Sequence, residues 1–535
     1  MDLSGIPNGI STGRWTMSRA IRGGRPWAWF ILAIGTILVS AYAHLQAGFT
    51  LPNPWNDEPW FLWSAISMAE NGTYFSESLN PDRVVLMSIL YQAPLALLFK
   101  LTGFSFSLAR WVSWGYLMVS YAGILVLVSR RPFPLISAAV GSLFYLGASA
   151  VVAGNMCRPE AMVWAIVVWS FVAADRGHYW RAMALSGVAV LVHQVAIVFF
   201  AAHLWIYLVR MVEYRKWIGP ARGDGFVMAV AGGCLALYLS FLAVHFQTSL
   251  ADLQEAAGEP FKQTLWERFF LSNKTPWLMG LGGLLGLSHW RFKRLSLPVV
   301  LAGGAFCVML VRPQMWYEVY NQMAFMWLTL ILPWLAVLMV EAGMERRGWR
   351  AFSGVRTAIL LAVYLAGVLP MLKLCYGHGF ITGPRHYPAK LGWGSGMQMD
   401  PAPYITEQDI RTVLAEIKRH VADDRKYRVF FMPEGDALFF HGRMPSNAVP
   451  YQGVRTRVRG DMAVFRLSRH PPAWWTEQYV RKWLAEYGGG GIAPFYGRDG
   501  TEQWILIPPG GRGCPAGGVV SVPARLAPEG SSPLN

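Results

Sequence analysis

Charged side chains are scarce in this chain of 535 residues: Asp, Glu, Lys and Arg together make up 15%, where soluble domains carry about a quarter. That scarcity excludes an ordinary soluble protein of several domains. Cysteine is nearly absent. Cys157, Cys234, Cys307, Cys375 and Cys514 are scattered without CxxC or metal-ligand spacing, so no disulfide framework is expected. No P-loop, GxGxxG, HExxH, GxSxG or zinc spacing occurs, which removes the common signatures of nucleotide, metalloprotease and serine-hydrolase chemistry. Acidic residues are the rarer sign, 31 against 47 basic ones, for a net charge of +16. The basic residues do not gather in one patch, which argues against a nucleic-acid partner. They fall in short clusters between apolar segments, the distribution of a membrane protein whose basic loops stay in the cytoplasm.

What is abundant agrees with this. Hydrophobic residues make up 54% of the chain, the mean hydropathy is +0.32, and 25 Trp, 21 Tyr and 29 Phe suit the aromatic belts found at headgroup level. The chain reads as a polytopic α-helical membrane protein. After a polar, Arg-bearing segment at 1–25, the apolar stretch 26–49 is long enough to span about 30 Å of hydrocarbon. That places the N-terminus in the cytoplasm and the following loop outside. Further crossings are expected at 107–128, 134–153, 160–175, 225–246, 276–290, 295–311, 322–341 and 355–375. The stretch 182–209 has basic clusters at both ends, so a single crossing would leave one cluster on the wrong side. A pair of short or re-entrant helices turning near 192–194 resolves the conflict and brings the total to about eleven.

Three regions follow: a transmembrane catalytic domain over 1–375 with an interfacial first external loop at 50–106, a small extracytoplasmic α/β domain over 376–508, and a tail at 509–535 expected to be disordered. Within the second region, Ile410, Val413, Leu414, Ile417 and Val421 keep helical spacing. Strands are expected at 427–432, 462–467 and 503–507, and another helix at 474–487.

The chemistry-bearing residues gather on the external side. Asp57 and Glu58 stand just beyond the first crossing, Arg83 and an amphipathic, Pro94-bearing run follow, and Arg110 opens the second crossing. Arg158, Pro159 and Glu160 open the fourth, His193 lies in apolar VLVHQVAIV, and Arg312, Tyr317 and Tyr320 stand in the loop RPQMWYEVYNQ. Structural alternatives exist for each: a solvated acidic loop, an Arg158–Glu160 pair anchoring a helix end, cations snorkelling to headgroups, and a hydrogen-bonded core histidine.

The pattern DExxxxxxAxxxxxNGxYF, the PLxxLxxLxG run, the Ala109-Arg110 pair and the later RPEA together resemble the GT-C superfamily of membrane glycosyltransferases. The similarity is to the protein O-mannosyltransferases and the aminoarabinose transferases that modify lipid A, over roughly 26–215 and more weakly to about 340. The resemblance implies an inverting transferase of the bacterial inner membrane. It would move a single sugar from a polyprenyl-phosphate donor, here undecaprenyl phosphate, to a lipid, glycan or protein acceptor hydroxyl or phosphate on the extracytoplasmic face. It assigns Asp57 as general base with Glu58 beside it. A divalent cation (Mg, Mn or Ca) would be held by Asp57, Glu58 and Glu160, and the donor phosphate by Arg83, Arg110, Arg158, His193, Arg312, Tyr317 and Tyr320. Relatives often carry a Lys near His193. The alternatives are an oligosaccharide ligase or polymerase using a polyprenyl diphosphate, and a lipid or solute transporter. No convincing internal repeat of the kind transporters carry is found.

Overall fold

The structure, a computed structural model, describes residues 26–47, 58–74, 88–129, 133–146, 154, 156–215, 217–251, 337, 340–341, 343–344, 353–376, 407–420, 428–432, 437–443, 447–450, 462–466, 491–496 and 502–507. The first apolar segment forms α1 (Pro26–Ala47). Beyond it, α2 (Glu58–Asn71) begins on the second residue of the carboxylate pair. Serine hydroxyls start the next two helices. Ser88 Oγ accepts from Leu90 N at 3.2 Å to begin α3 (Ile89–Thr102), and Ser105 Oγ accepts from Leu108 N at 3.3 Å to begin α4 (Phe106–Val128). Between them Gly103 adopts φ 78°, a conformation glycine takes at no steric cost, and this ends α3.

Helices α5 (Pro134–Leu146), α6 (Pro159–Asp175), α7 (Tyr179–Val192), α8 (Ile197–Tyr214), α9 (Asp224–Val244) and α10 (Ser353–Tyr376) follow. Among the described residues, α4 and α9 are long and apolar enough to cross a membrane, with shorter apolar helices beside them. The crossings expected at 276–290 and 295–311, and nearly all of that at 322–341, lie outside the described residues.

The α7–α8 segment takes the form that the basic clusters required. α7 stops at Val192, His193 is extended at φ −157°, a 3-10 turn spans Gln194–Ala196, and the chain returns as α8. It is a helical hairpin, because Trp180 at the start of α7 meets Tyr207 near the end of α8 at 5.6 Å. Trp180 Nε1 and Tyr207 OH both donate to the Ile218 carbonyl, at 2.8 and 3.2 Å. Both ends of the hairpin, with Arg176, Arg181, Arg210 and Arg215, therefore lie at one end of the bundle. Arg181 Nη2 pairs there with buried Asp224, the first residue of α9, at 3.1 Å.

Two devices join the helices. At Gly123 on α4 an added Cβ would lie 2.5 Å from Val168 Cγ1 on α6, so glycine permits the close approach. Between α4 and α5, Ser120 bonds Tyr145 at 2.7 Å and Tyr121 bonds Ser142 at 2.6 Å, which satisfies four buried hydroxyls in the apolar interior.

In the C-terminal region α11 (Glu407–His420) buries Ile410, Val413 and Ile417, the stripe expected from its spacing. The sheet has five strands in the order β2-β1-β3-β5-β4. β1 (Arg428–Met432) pairs in parallel with β2 (Asn447–Pro450) and β3 (Met462–Arg466); β5 (Glu502–Ile507) pairs antiparallel with β3 and with β4 (Gly491–Tyr496). An α/β domain is thus observed, with β2 and β4 added to the three expected strands. Each carries a proline, Pro450 or Pro494, a residue depleted in strands, which explains why composition does not announce them. The helix expected at 474–487 lies outside the described residues. A single-turn helix, α12 (Ala437–Phe440), follows β1.

Candidate functional site

The helix ends opposite the Arg181–Asp224 pair converge. His44, in the last turn of α1, packs on Trp111 in the first turns of α4 at 4.3 Å between ring centroids. Glu58, the first residue of α2, is fully buried. Its Oε2 accepts from Arg110 Nη2 at 3.1 Å, and its Oε1 accepts from the backbone N–H of Cys157 at 2.7 Å. One carboxylate thereby ties together the start of α2, the start of α4 and the loop before α6. Arg110 is likewise fully buried and lies 4.5 Å from the Phe106 ring centroid. A pair in which both charges are withdrawn from water is stable only when their hydrogen bonds are met.

A second pair sits beside the first. Arg158 precedes α6, Pro159 supplies the preformed first helical position, and Glu160 stands in the first turn, where the helix dipole favours a carboxylate. Arg158 Nε donates to both Glu160 oxygens at 3.0 and 3.2 Å, and Nη2 donates to Oε1 at 2.7 Å. The guanidinium also lies 5.5 Å from the centroid of Phe61, one turn into α2. Neither arginine snorkels; both are buried.

Tyr91 on α3 closes the group. It meets Phe61 edge-on at 6.2 Å and has Ser113, Cys157 and Glu160 as neighbours; burial foremost, and Cys157 next, hold its phenol well above the usual range, so it stays a hydroxyl. Burial, then the Glu58 charge, pushes the Cys157 thiol well above its usual range too. His193, at the tip of the α7–α8 hairpin, is electrostatically within reach of Glu160. The fold thus brings Glu58, Arg110, Arg158, Glu160 and His193 together. Asp57, Arg83, Arg312, Tyr317 and Tyr320 lie outside the described residues.

Sequence reasoning passed over Tyr91, Phe61, the Cys157 backbone N–H and the C-terminal seat. At that seat Phe439 of α12 meets Phe106 at 5.4 Å. His441 meets Trp63 at 5.0 Å and Phe104 at 5.4 Å, with its Nε2 2.8 Å from Glu70 Oε1. Only the polar character of Tyr91-Gln92 inside an apolar run was available as a signal.

The donor set also bears on the expected divalent cation. Among the described residues no group of three His, Cys, Asp or Glu side chains converges, and the oxygens of Glu58 and Glu160 are engaged by Arg110, Cys157 N–H and Arg158. Asp57, the third expected ligand, lies outside the described residues.

No family model matches the chain, and no curated protein matches it. Among solved structures it is similar to apo ArnT, an aminoarabinose transferase from Cupriavidus metallidurans, with a TM-score of 0.41 and 14% identity over 90% of this chain and 98% of that one. It is also similar to an Archaeoglobus fulgidus oligosaccharyltransferase crystallised with Zn and sulfate, with a TM-score of 0.41 and 11% identity over 90% of this chain and 74% of that one. Both belong to the GT-C superfamily. Likeness at this score carries no weight in assigning a reaction, and the reading below rests on residues of this chain.

Proposed function

We propose that the chain is an integral membrane glycosyltransferase that moves one sugar from a polyprenyl-phosphate donor to an acceptor on the extracytoplasmic face, with Asp57 as general base. One observation carries the reading. Glu58, Arg110, Arg158 and Glu160, from three stretches far apart in sequence, meet at the end of the bundle opposite the Arg176, Arg181, Arg210 and Arg215 end. A transporter would instead concentrate its charges near the midplane. The C-terminal residues Phe439 and His441 seat against α2 and the α3–α4 junction, at the same end, which supports an extracytoplasmic domain beside the site.

In this mechanism the acceptor hydroxyl attacks the anomeric carbon as Asp57 takes its proton. The bond from that carbon to the phosphate oxygen breaks with its electron pair, and polyprenyl phosphate leaves. Attack opposite the leaving group inverts the anomeric centre. Glu58 does not act as a second base. Fixed by Arg110 and Cys157 N–H, it anchors the start of α2 directly after Asp57. Arg158 and Glu160 brace the start of α6. His193, Arg83, Arg312, Tyr317 and Tyr320 would meet the donor phosphate. The test is Asp57→Asn in purified protein supplied with undecaprenyl-phosphate-linked hexoses and membrane acceptors. Loss of about 10²- to 10⁴-fold in transfer at an unchanged melting temperature is expected. Normal turnover by the variant would end the assignment.

A further inference from the structure

A buried amide next to this site has no bonding partner among the described residues. Gln92, in the first turns of α3, is fully buried, and among those residues neither its Oε1 nor its Nε2 has a hydrogen-bond partner. Such a group carries the desolvation cost of a donor and an acceptor with nothing in return, and folded proteins keep few of them. Its position is defined by its neighbours. One helical turn earlier, Ser88 Oγ donates to the Leu191 carbonyl at 2.6 Å, and Leu191 lies two residues before His193. Residues 88 and 92 share a face of α3, so that face fronts the hairpin tip. Tyr91, next in sequence, borders Cys157 and Glu160.

We propose that Gln92 binds the sugar of the lipid-linked donor through its ring hydroxyls and so helps to set which sugar is transferred. The inference rests on the glycosyltransferase reading. A side-chain amide presents an acceptor oxygen and two N–H donors. A sugar hydroxyl both donates and accepts, and can therefore satisfy both ends of the amide. A phosphate diester only accepts and would leave Oε1 without a donor, so the phosphate falls to cations and the sugar to Gln92. A sugar lacking the matching hydroxyl would leave the buried amide unpaired, which is how a polar pocket discriminates strongly.

The test is Gln92→Leu, similar in shape and without polar atoms. Its melting temperature is compared with that of the parent protein alone, with undecaprenyl phosphate, and with undecaprenyl-phosphate glucose, galactose, mannose and N-acetylglucosamine. The variant alone should be as stable as the parent or more so, and bare undecaprenyl phosphate should stabilise both equally. The extra affinity contributed by the preferred sugar should fall about 10- to 100-fold. Several outcomes would overturn the proposal: a variant that melts several degrees lower, marking an amide bonded within the fold; equal loss of bare-carrier binding, marking a phosphate contact; or undiminished sugar binding. So would a parent protein that binds the bare carrier and gains nothing from any of the sugars. A parent protein that binds undecaprenyl phosphate in no form sinks the glycosyltransferase reading itself.

Discussion

Breaking the Glu58–Arg110 pair should cost more than deleting it. Both side chains are fully buried and 3.1 Å apart. At an effective dielectric of about 20, unit charges about 4 Å apart attract by about 4 kcal/mol, and desolvation of the two ions offsets much of this. The intact pair is therefore near neutral in net stability. Glu58→Leu leaves the Arg110 cation buried without its counter-charge and also removes the acceptor of the Cys157 N–H, for a loss of about 3–5 kcal/mol. Arg110→Met strands the carboxylate, with a loss of similar size. In the double variant neither charge remains to be desolvated, so its loss should be smaller than the sum of the two by at least about 2 kcal/mol. Denaturant unfolding of the four proteins in one detergent measures the cycle. Additive losses would refute the coupling and with it the role of Glu58 as an anchor. Transfer activity supplies a second test: Glu58→Gln should lose stability and activity together, whereas Asp57→Asn should lose activity alone.

Gly123→Ala should destabilise the protein by about 1–3 kcal/mol, because its Cβ would lie 2.5 Å from Val168 Cγ1; adding Val168→Ala should restore most of that loss, and failure of the rescue in thermal unfolding would remove steric contact as the cause. Cys157, fully buried with its thiol pushed up by burial and by Glu58, should resist maleimide at neutral pH in the folded protein and react on unfolding. Rapid labelling of the native protein, read by mass spectrometry, would contradict the buried loop. His441→Ala removes the contacts to Trp63, Phe104 and Glu70 and should raise the rate of proteolysis within 407–507; because Glu70 is half exposed its bond is worth little, so His441→Phe should keep most of the protection.

The positions of the described helices were readable because they follow from composition along the chain: long apolar runs bounded by clusters of basic residues. The break at His193–Ala196 was readable for the same reason, since clusters around Arg176 and Arg215 demanded a return that one helix does not provide. What stayed hidden were contacts between distant stretches. Nothing near Glu58 indicates that Arg110, 52 residues on, and the Cys157 N–H, 99 residues on, consume its two oxygens. The Arg158–Glu160 pair, two residues apart, was by contrast among the readings the sequence offered, and the structure contains it. The α12 seat was unreadable too, because a single turn of ALFF carries no periodicity, and its meaning lies entirely in the rings it meets.

Charge balance sharpens the division of labour at the site. Glu58 with Arg110 and Glu160 with Arg158 cancel in place. A sugar-bearing polyprenyl phosphate is a diester with one negative charge, and its phosphate gains a second as the sugar leaves. Catalysis requires that this developing charge be met by groups already oriented toward it. Arg110 and Arg158 are poor choices for that task, because turning either toward the donor would strand a buried carboxylate at a cost of about 3–5 kcal/mol. In the proposed reaction the cations for the leaving phosphate would then come from outside the two pairs. His193 stands at the hairpin tip, electrostatically within reach of Glu160, and Arg83 and Arg312 belong to the expected external loops. In the proposed reaction the two neutral pairs would fix the helix ends that carry the site, Asp57 would take the acceptor proton, and the charge that appears on the carrier would be left to His193 and the loop arginines.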